Sequence, residues 1–159
     1  MSRRLRLCVA FISLWLIPSL STAQEVTFPS LRAGALPPGL AIDGRLNEAA
    51  WDAAEMVDAF TQVDPVDGAA ATLRTVVRVL AGPKAIAIGI VCEDPDPDGV
   101  VSFSVRRDAS LTNEDHVRIV LGPFMDGRSG YVFAVNPSGA RYDGLIAPGG
   151  ETDNPDWDG

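Results

Sequence analysis

Histidine is nearly missing from this chain. His116 is the only one among 159 residues, so histidine-based zinc sites and Ser-His-Asp arrangements have almost nothing to draw on. Cysteine is as scarce. Cys8 and Cys92 are the only two, and Cys8 sits in a stretch that reads as a cleaved leader, which leaves no pair for an internal disulfide. Cys92 falls inside an apolar run and reads as a small core residue. One unpaired cysteine in an exported chain points to a bacterial envelope protein rather than a disulfide-built module. Positive charge is also short: 13 Lys and Arg face 21 Asp and Glu, for a net charge of −8. That balance argues against nucleic acid and anionic membrane surfaces as partners, and suits divalent cations and neutral ligands such as sugars. There is no G-x-S-x-G elbow and no glycine-rich phosphate loop. Glycosidase chemistry needs two facing carboxylates, and nothing in the sequence singles out a pair. Catalysis has no visible foothold here.

What is present begins with an export leader over 1–23. Arg3, Arg4 and Arg6 form its basic start, Leu7 to Leu20 its apolar run, and Ser21-Thr22-Ala23 its small-residue cleavage site. The apolar run is too short for a confident membrane span. Residues 24–39 carry Pro29, Pro37 and Pro38 and read as an extended arm. Residues 40–159 are one domain's worth of chain. The ending Asp156-Trp157-Asp158-Gly159 closes no strand or helix, which reads as a piece of a longer protein.

The domain is patterned for strands. Segments near 40–42, 72–80, 85–92, 100–105, 115–121, 131–136 and 140–146 are rich in β-branched and aromatic residues, with turn residues between them. The run Ala85–Cys92, AIAIGIVC, is apolar on both faces, the mark of a central strand. About seven short strands and one short helix predict an all-β, immunoglobulin-like antiparallel β-sandwich. The helix is expected over about 46–55: Asn47 is placed to cap it, and Leu46, Ala50, Trp51 and Ala54 form one apolar stripe. Before it, Gly44 and Asp43 supply a sharp turn. Trp51 has two readings, a core plug and a sugar-stacking ring.

Four places carry candidate chemistry. Asp94, Asp96 and Asp98 alternate before Gly99 like the first half of a calcium loop, but Val105 stands where the bidentate glutamate belongs. The loop reads either as a calcium site completed from elsewhere, for instance by Asp115, or as a solvated acidic turn. Arg106, Arg107 and Asp108, with Asn113 and Asp115, form the densest polar cluster. Its planar guanidinium donors suit sugar hydroxyls, and equally an ion-paired surface loop. Asn136 ends a strand before Pro137 and reads as a ligand donor or as a turn cap. Trp157 lies in a polar loop, where a large ring needs a reason: either a stacked sugar or the remainder of a longer protein.

The stretch Ile42-Asp43-Gly44-Arg45-Leu46-Asn47-Glu48-Ala49-Ala50-Trp51-Asp52-Ala53-Ala54 resembles the opening signature of the family 9 carbohydrate-binding modules and their DOMON-like relatives, I-D-G-x-L-D/N-E-x-x-W-x-x-A. TLRTVVRVL, AIAIGIVCEDPDPD, SVRRD, NEDHVRIVLGPFMDGRSGYVFAVNPSGARYDGLI and WDG follow in the family's order. Asn47 stands where Asp is usual. Gly122 replaces an Asp that relatives often carry, which weakens any cation role there. The resemblance implies an immunoglobulin-like sandwich that binds polysaccharide or oligosaccharide, often with structural calcium, and that accompanies O-glycosyl hydrolases. It further implies the N-terminal part of a large exported protein, in the periplasm, the outer membrane or secreted, whose C-terminal domain associates with the outer membrane. Two other readings remain: a docking module on that domain, and part of a hydrolase whose catalytic residues lie elsewhere. Distant sandwich relatives bind haem, a role for which a lone His116 with Met56 and Met125 gives little support.

Overall fold

The computed structural model describes residues 30–149 and 153–157. The expected leader and the first residues of the arm, 24–29, lie outside them. In chain order the elements are β1 (Gly34–Ala35), α1 (Ala49–Asp52), β2 (Met56–Val57), β3 (Thr75–Ala81), β4 (Ile86–Cys92), β5 (Val117–Leu121), β6 (Gly130–Val135), β7 (Arg141–Ile146) and β8 (Asp153–Asn154). They make an all-β sandwich. In the first sheet β3 pairs with β1, β2 and β4; in the second the order is β5-β6-β7-β8. All pairings are antiparallel except β1 with β3. Among the described residues no helix is long and apolar enough to cross a membrane.

The alternation of β3 and β4 builds the first core. Leu80 and Ala87 are directly opposed, so their side chains leave the sheet on one face, where they are buried with Trp51 and Ala54. Leu36, Leu40, Leu46 and Ala50 close around them. Trp51 is therefore a core plug. Its neighbour Gly89 is glycine because of it: a Cβ there would sit 2.5 Å from Leu46 Cδ2 and 3.0 Å from Trp51 Cζ3. Gly89→Ala is expected to cost about 1–3 kcal/mol by overpacking, read as a lower urea midpoint with an unchanged m-value.

The helix is shorter than its pattern predicts. Asp43 Oδ1 accepts the Arg45 amide at 2.9 Å, and Gly44 takes φ +79°, so the sharp turn is as expected. The first helical turn then closes from Glu48, whose carbonyl accepts the Trp51 amide at 2.9 Å. Glu48, not Asn47, holds the cap position, without a side-chain bond. One turn suffices to seat Trp51, and β2 begins four residues after Asp52.

Four other expectations are corrected. Leu40–Ile42 forms no strand; Gly39 turns at φ +78° and Leu40 packs on the Trp51 cluster. The arm itself supplies β1 beside β3. The apolar run of β4 lies at an edge rather than in the centre: among the described residues it pairs only with β3. Its second apolar face lines a cleft of about 530 Å³ that Ile88 and Ile90 share with Val117, Ile119 and Val135 of the second sheet. Cys92, at the end of that edge, is exposed. Finally, 100–105 is not a strand; side chains, rather than a neighbouring strand, hold its backbone.

Candidate functional site

Residues opposed across antiparallel strands share a face. On one face of the second sheet this puts Leu121, Tyr131 and Leu145 in one rung, Ile119, Phe133 and Asp143 in the next, and Val117, Val135 and Arg141 in the third. Trp157 reaches the same face. Its ring lies tilted on Tyr131 at 5.0 Å between centroids and meets Phe133 edge-on at 6.4 Å. Phe124 extends the row, 6.1 Å from Tyr131. These are ordinary aromatic-pair distances. Phe124 is 58% exposed and Phe133 38%; Tyr131 and Trp157 are half-buried. The four rings form a partly open apolar strip.

A polar rim adjoins the strip. Asp108 takes φ +56°, a conformation Asp tolerates better than most residues, and its amide donates to the Arg141 carbonyl at 2.8 Å. The turn carries Arg107 over β7. Arg107 Nη2 donates to Asp143 Oδ1 at 2.6 Å, and its Nε lies 3.3 Å from Asp108 Oδ2. Asp143 is buried and is thus a second-row acceptor that fixes the guanidinium plane. Arg107, Arg141 and Asp143 border a hollow of about 340 Å³ with Val117, Ile119, Phe133 and Val135 on its floor.

Of the residues marked in the sequence, the fold brings Arg107, Asp108 and Trp157 to this sheet, linked through Phe133 and Asp143. Arg106 and Asn113 are exposed and take no part in the rim. Asn136 is buried and committed elsewhere. Its Nδ2 donates to Ser104 O at 2.8 Å and Glu114 Oε2 at 2.9 Å, and its Oδ1 accepts the Ala140 amide at 2.8 Å. With both amide hydrogens spent, it is a turn cap. Asp94 Oδ1 accepts the Asp96 amide at 2.8 Å, and Asp115 Oδ2 accepts the Val101 amide at 2.7 Å. Among the described residues no three His, Cys, Asp or Glu side chains group to hold a metal.

Phe133, Asp143 and Glu114 escaped notice in the sequence. The alternation of YVFAV was enough to place Tyr131, Phe133 and Val135 on one face, and an acid amid the strand RYDGLI was a signal for Asp143. Glu114 had no signal, because its partners come from loops. It is buried and accepts the amides of Phe103 and Ser104 at 2.8 and 2.9 Å as well as Asn136. Burial pushes its carboxyl upward, but hydrogen bonds from Ser104, Asn136 and Phe103 outweigh it and hold it at about 2, against an ordinary 4.5. A carboxyl with a lowered folded value stabilises the fold above its unfolded value and ceases to as protons bind. Stability is expected to be level near pH 6 and to fall between about 4.5 and about 2. Urea midpoints across that window test this, and Glu114→Gln should flatten the slope.

No family model, curated protein or solved structure matches this chain.

Proposed function

We propose that this protein is a non-catalytic carbohydrate-binding sandwich of an exported protein linked to carbohydrate catabolism. The observation that carries the reading is the convergence of Trp157 and Arg107, fifty residues apart in sequence, on the single rung of Phe133 and Asp143. A sugar ring has apolar C–H faces and an equator of hydroxyls. The aromatic strip offers the first a stacking surface. The Arg107 guanidinium, held by Asp143 and Asp108, stands at the border of the hollow where the second would lie. The acidic net charge favours a neutral glycan over an anionic one. The motif order of a family 9 module supports the same ligand class. The reading calls on no calcium.

A docking role is the second reading, and one feature favours it. Val101, Phe103 and Val105 alternate outward at 47, 68 and 75% exposure. Their backbone is pinned by Asp115, Ser138, Glu114 and Asn136. A rigid apolar row of this kind suits another part of a longer outer-membrane protein.

Thermal unfolding with soluble xylo-, cello- and chito-oligosaccharides separates the two. A sugar at 100 times its dissociation constant adds about 2.7 kcal/mol, enough to raise the midpoint by several degrees. A sugar-specific rise is the expected result. A cooperative melt indifferent to every glycan removes the binding reading and leaves docking.

A further inference from the structure

The reverse face of the second sheet holds a second hollow. Arg118, Ala134 and Tyr142 share a rung there, and Asp153 on β8 stands beside it. Tyr142 donates its hydroxyl to Asp153 Oδ2 at 2.5 Å, and Arg118 Nη2 lies 3.2 Å from the same oxygen. Burial raises the Tyr142 hydroxyl to about 12, with Asp153 adding to it, so the phenol remains a donor at neutral pH. Together with Asp108, Ser110, Leu111, Thr112 and His116, these side chains line a cavity of about 320 Å³.

The lining has two parts. Leu111, Ala134 and the Tyr142 ring form one packed apolar cluster, the floor. The surround is polar and rich in acceptors. His116 Nδ1 lies 2.8 Å from the Glu114 carbonyl. A carbonyl only accepts, so Nδ1 donates to it, and Nε2 is the ring nitrogen left for a ligand. Asp108 and Asp153 add carboxylate oxygens, Ser110 and Thr112 hydroxyls, and Arg118 donors.

We propose that this hollow is a second sugar site, taking one neutral pyranose with its C–H face on Leu111, Ala134 and Tyr142 and its hydroxyls on Asp108, His116, Arg118 and Asp153. The ligand class rests on the carbohydrate reading above; the location does not. Neutrality follows from the charges. Arg118 is already shared with Asp153, so a sugar carboxylate would meet two carboxylates without a spare cation. The aromatic strip and this hollow lie on opposite faces of β7, with Asp108 at the edge they share, which lets one module touch two sugar units or two chains of a glycan.

The chain provides its own reporters. His116 is the only histidine and lines the hollow; Trp157 stands on the opposite face. The protein is titrated with methyl β-D-glucopyranoside while the His116 imidazole and Trp157 indole proton resonances are followed, and again with D-glucuronate. The proposal expects saturable movement of the His116 signals with the glucoside and none with the glucuronate. It expects Asp153→Asn to weaken that response about tenfold or more, as for loss of a charged hydrogen-bond partner. Tyr142→Phe, which keeps the ring, serves as the second variant and should weaken it in the same direction. Movement of Trp157 with His116 still would overturn the second site and leave the first. Movement of His116 alone would support the second site and remove the first. No movement of either, or a His116 response unchanged in both variants, overturns the proposal.

Discussion

Asn136→Ala is expected to lower stability by about 3–5 kcal/mol, one of the two largest effects of any single truncation in this fold. The side chain is 4% exposed and closes a network across three segments. Its removal leaves the Ser104 carbonyl, one bond of the Glu114 carboxylate and the Ala140 amide without their partners. A buried group stripped of its hydrogen bond costs about 1–3 kcal/mol, and the three act in one place. In a domain of this size the Tm should fall by roughly 10 °C or more. Asn136→Asp separates the network from simple packing. It keeps an acceptor for the Ala140 amide but sets a carboxylate against Glu114. It should therefore be strongly destabilised at neutral pH and partly recover on mild acidification, when one proton can serve the pair. The wild type moves the other way over the acid range. A loss under 1 kcal/mol for Asn136→Ala would mean that segment 101–105 is held by something other than this network.

Trp51→Ala is expected to cost about 3–4 kcal/mol. The ring is 4% exposed and is the largest member of the first core, and truncating such a ring leaves a cavity that β3 and β4 are too rigid to fill. The figure sits below the upper end of the range because Trp51 Nε1 is buried without a hydrogen-bond partner, a cost that the substitution removes. The same fact makes Trp51→Phe nearly silent, within about 1 kcal/mol, since it loses some volume and one orphan donor together. β1, α1 and β2 are short and hang on this cluster, so Trp51→Ala should open the first sheet before the second. Hydrogen exchange would show it as faster exchange in β3 and β4 with β6 and β7 still protected. Equal loss in both sheets would mean that they unfold as one unit.

β5 and β6 were legible in the sequence because each has a more buried and a more open face, which writes alternation into them, while β3 and β7 were legible from their β-branched and aromatic residues between turn signals. The short ones were not. β1 and β2 are two residues each, and their pairing with β3 is set by where the Trp51 cluster draws the chain. Val100–Val105 reads as a strand by the same alternation, yet Glu114, Asp115, Ser138 and Asn136 satisfy its backbone instead. Period two records exposure, not hydrogen-bond partners. The apolar run of β4 misled in a related way, since its second face looks onto a cleft and its outer edge has no neighbouring strand among the described residues. At the candidate site, residue types pointed to Arg107, Asp108 and Trp157, while pairing register supplied Phe133 and Asp143, which join them. Register is a long-range property and has no local signature.

The most direct test of the carbohydrate-binding face is calorimetric titration of the wild type and Trp157→Ala with whichever oligosaccharide raises the melting midpoint most. Trp157 sits in a loop, half-buried on Tyr131 and Phe133, so its loss should leave the sheet folded. The expected result is saturable binding to the wild type and a dissociation constant about tenfold weaker in the variant, as for the loss of one stacked aromatic contact. Equal affinity in the two proteins, or no binding by a well-folded wild type, would contradict a sugar-binding role for this face.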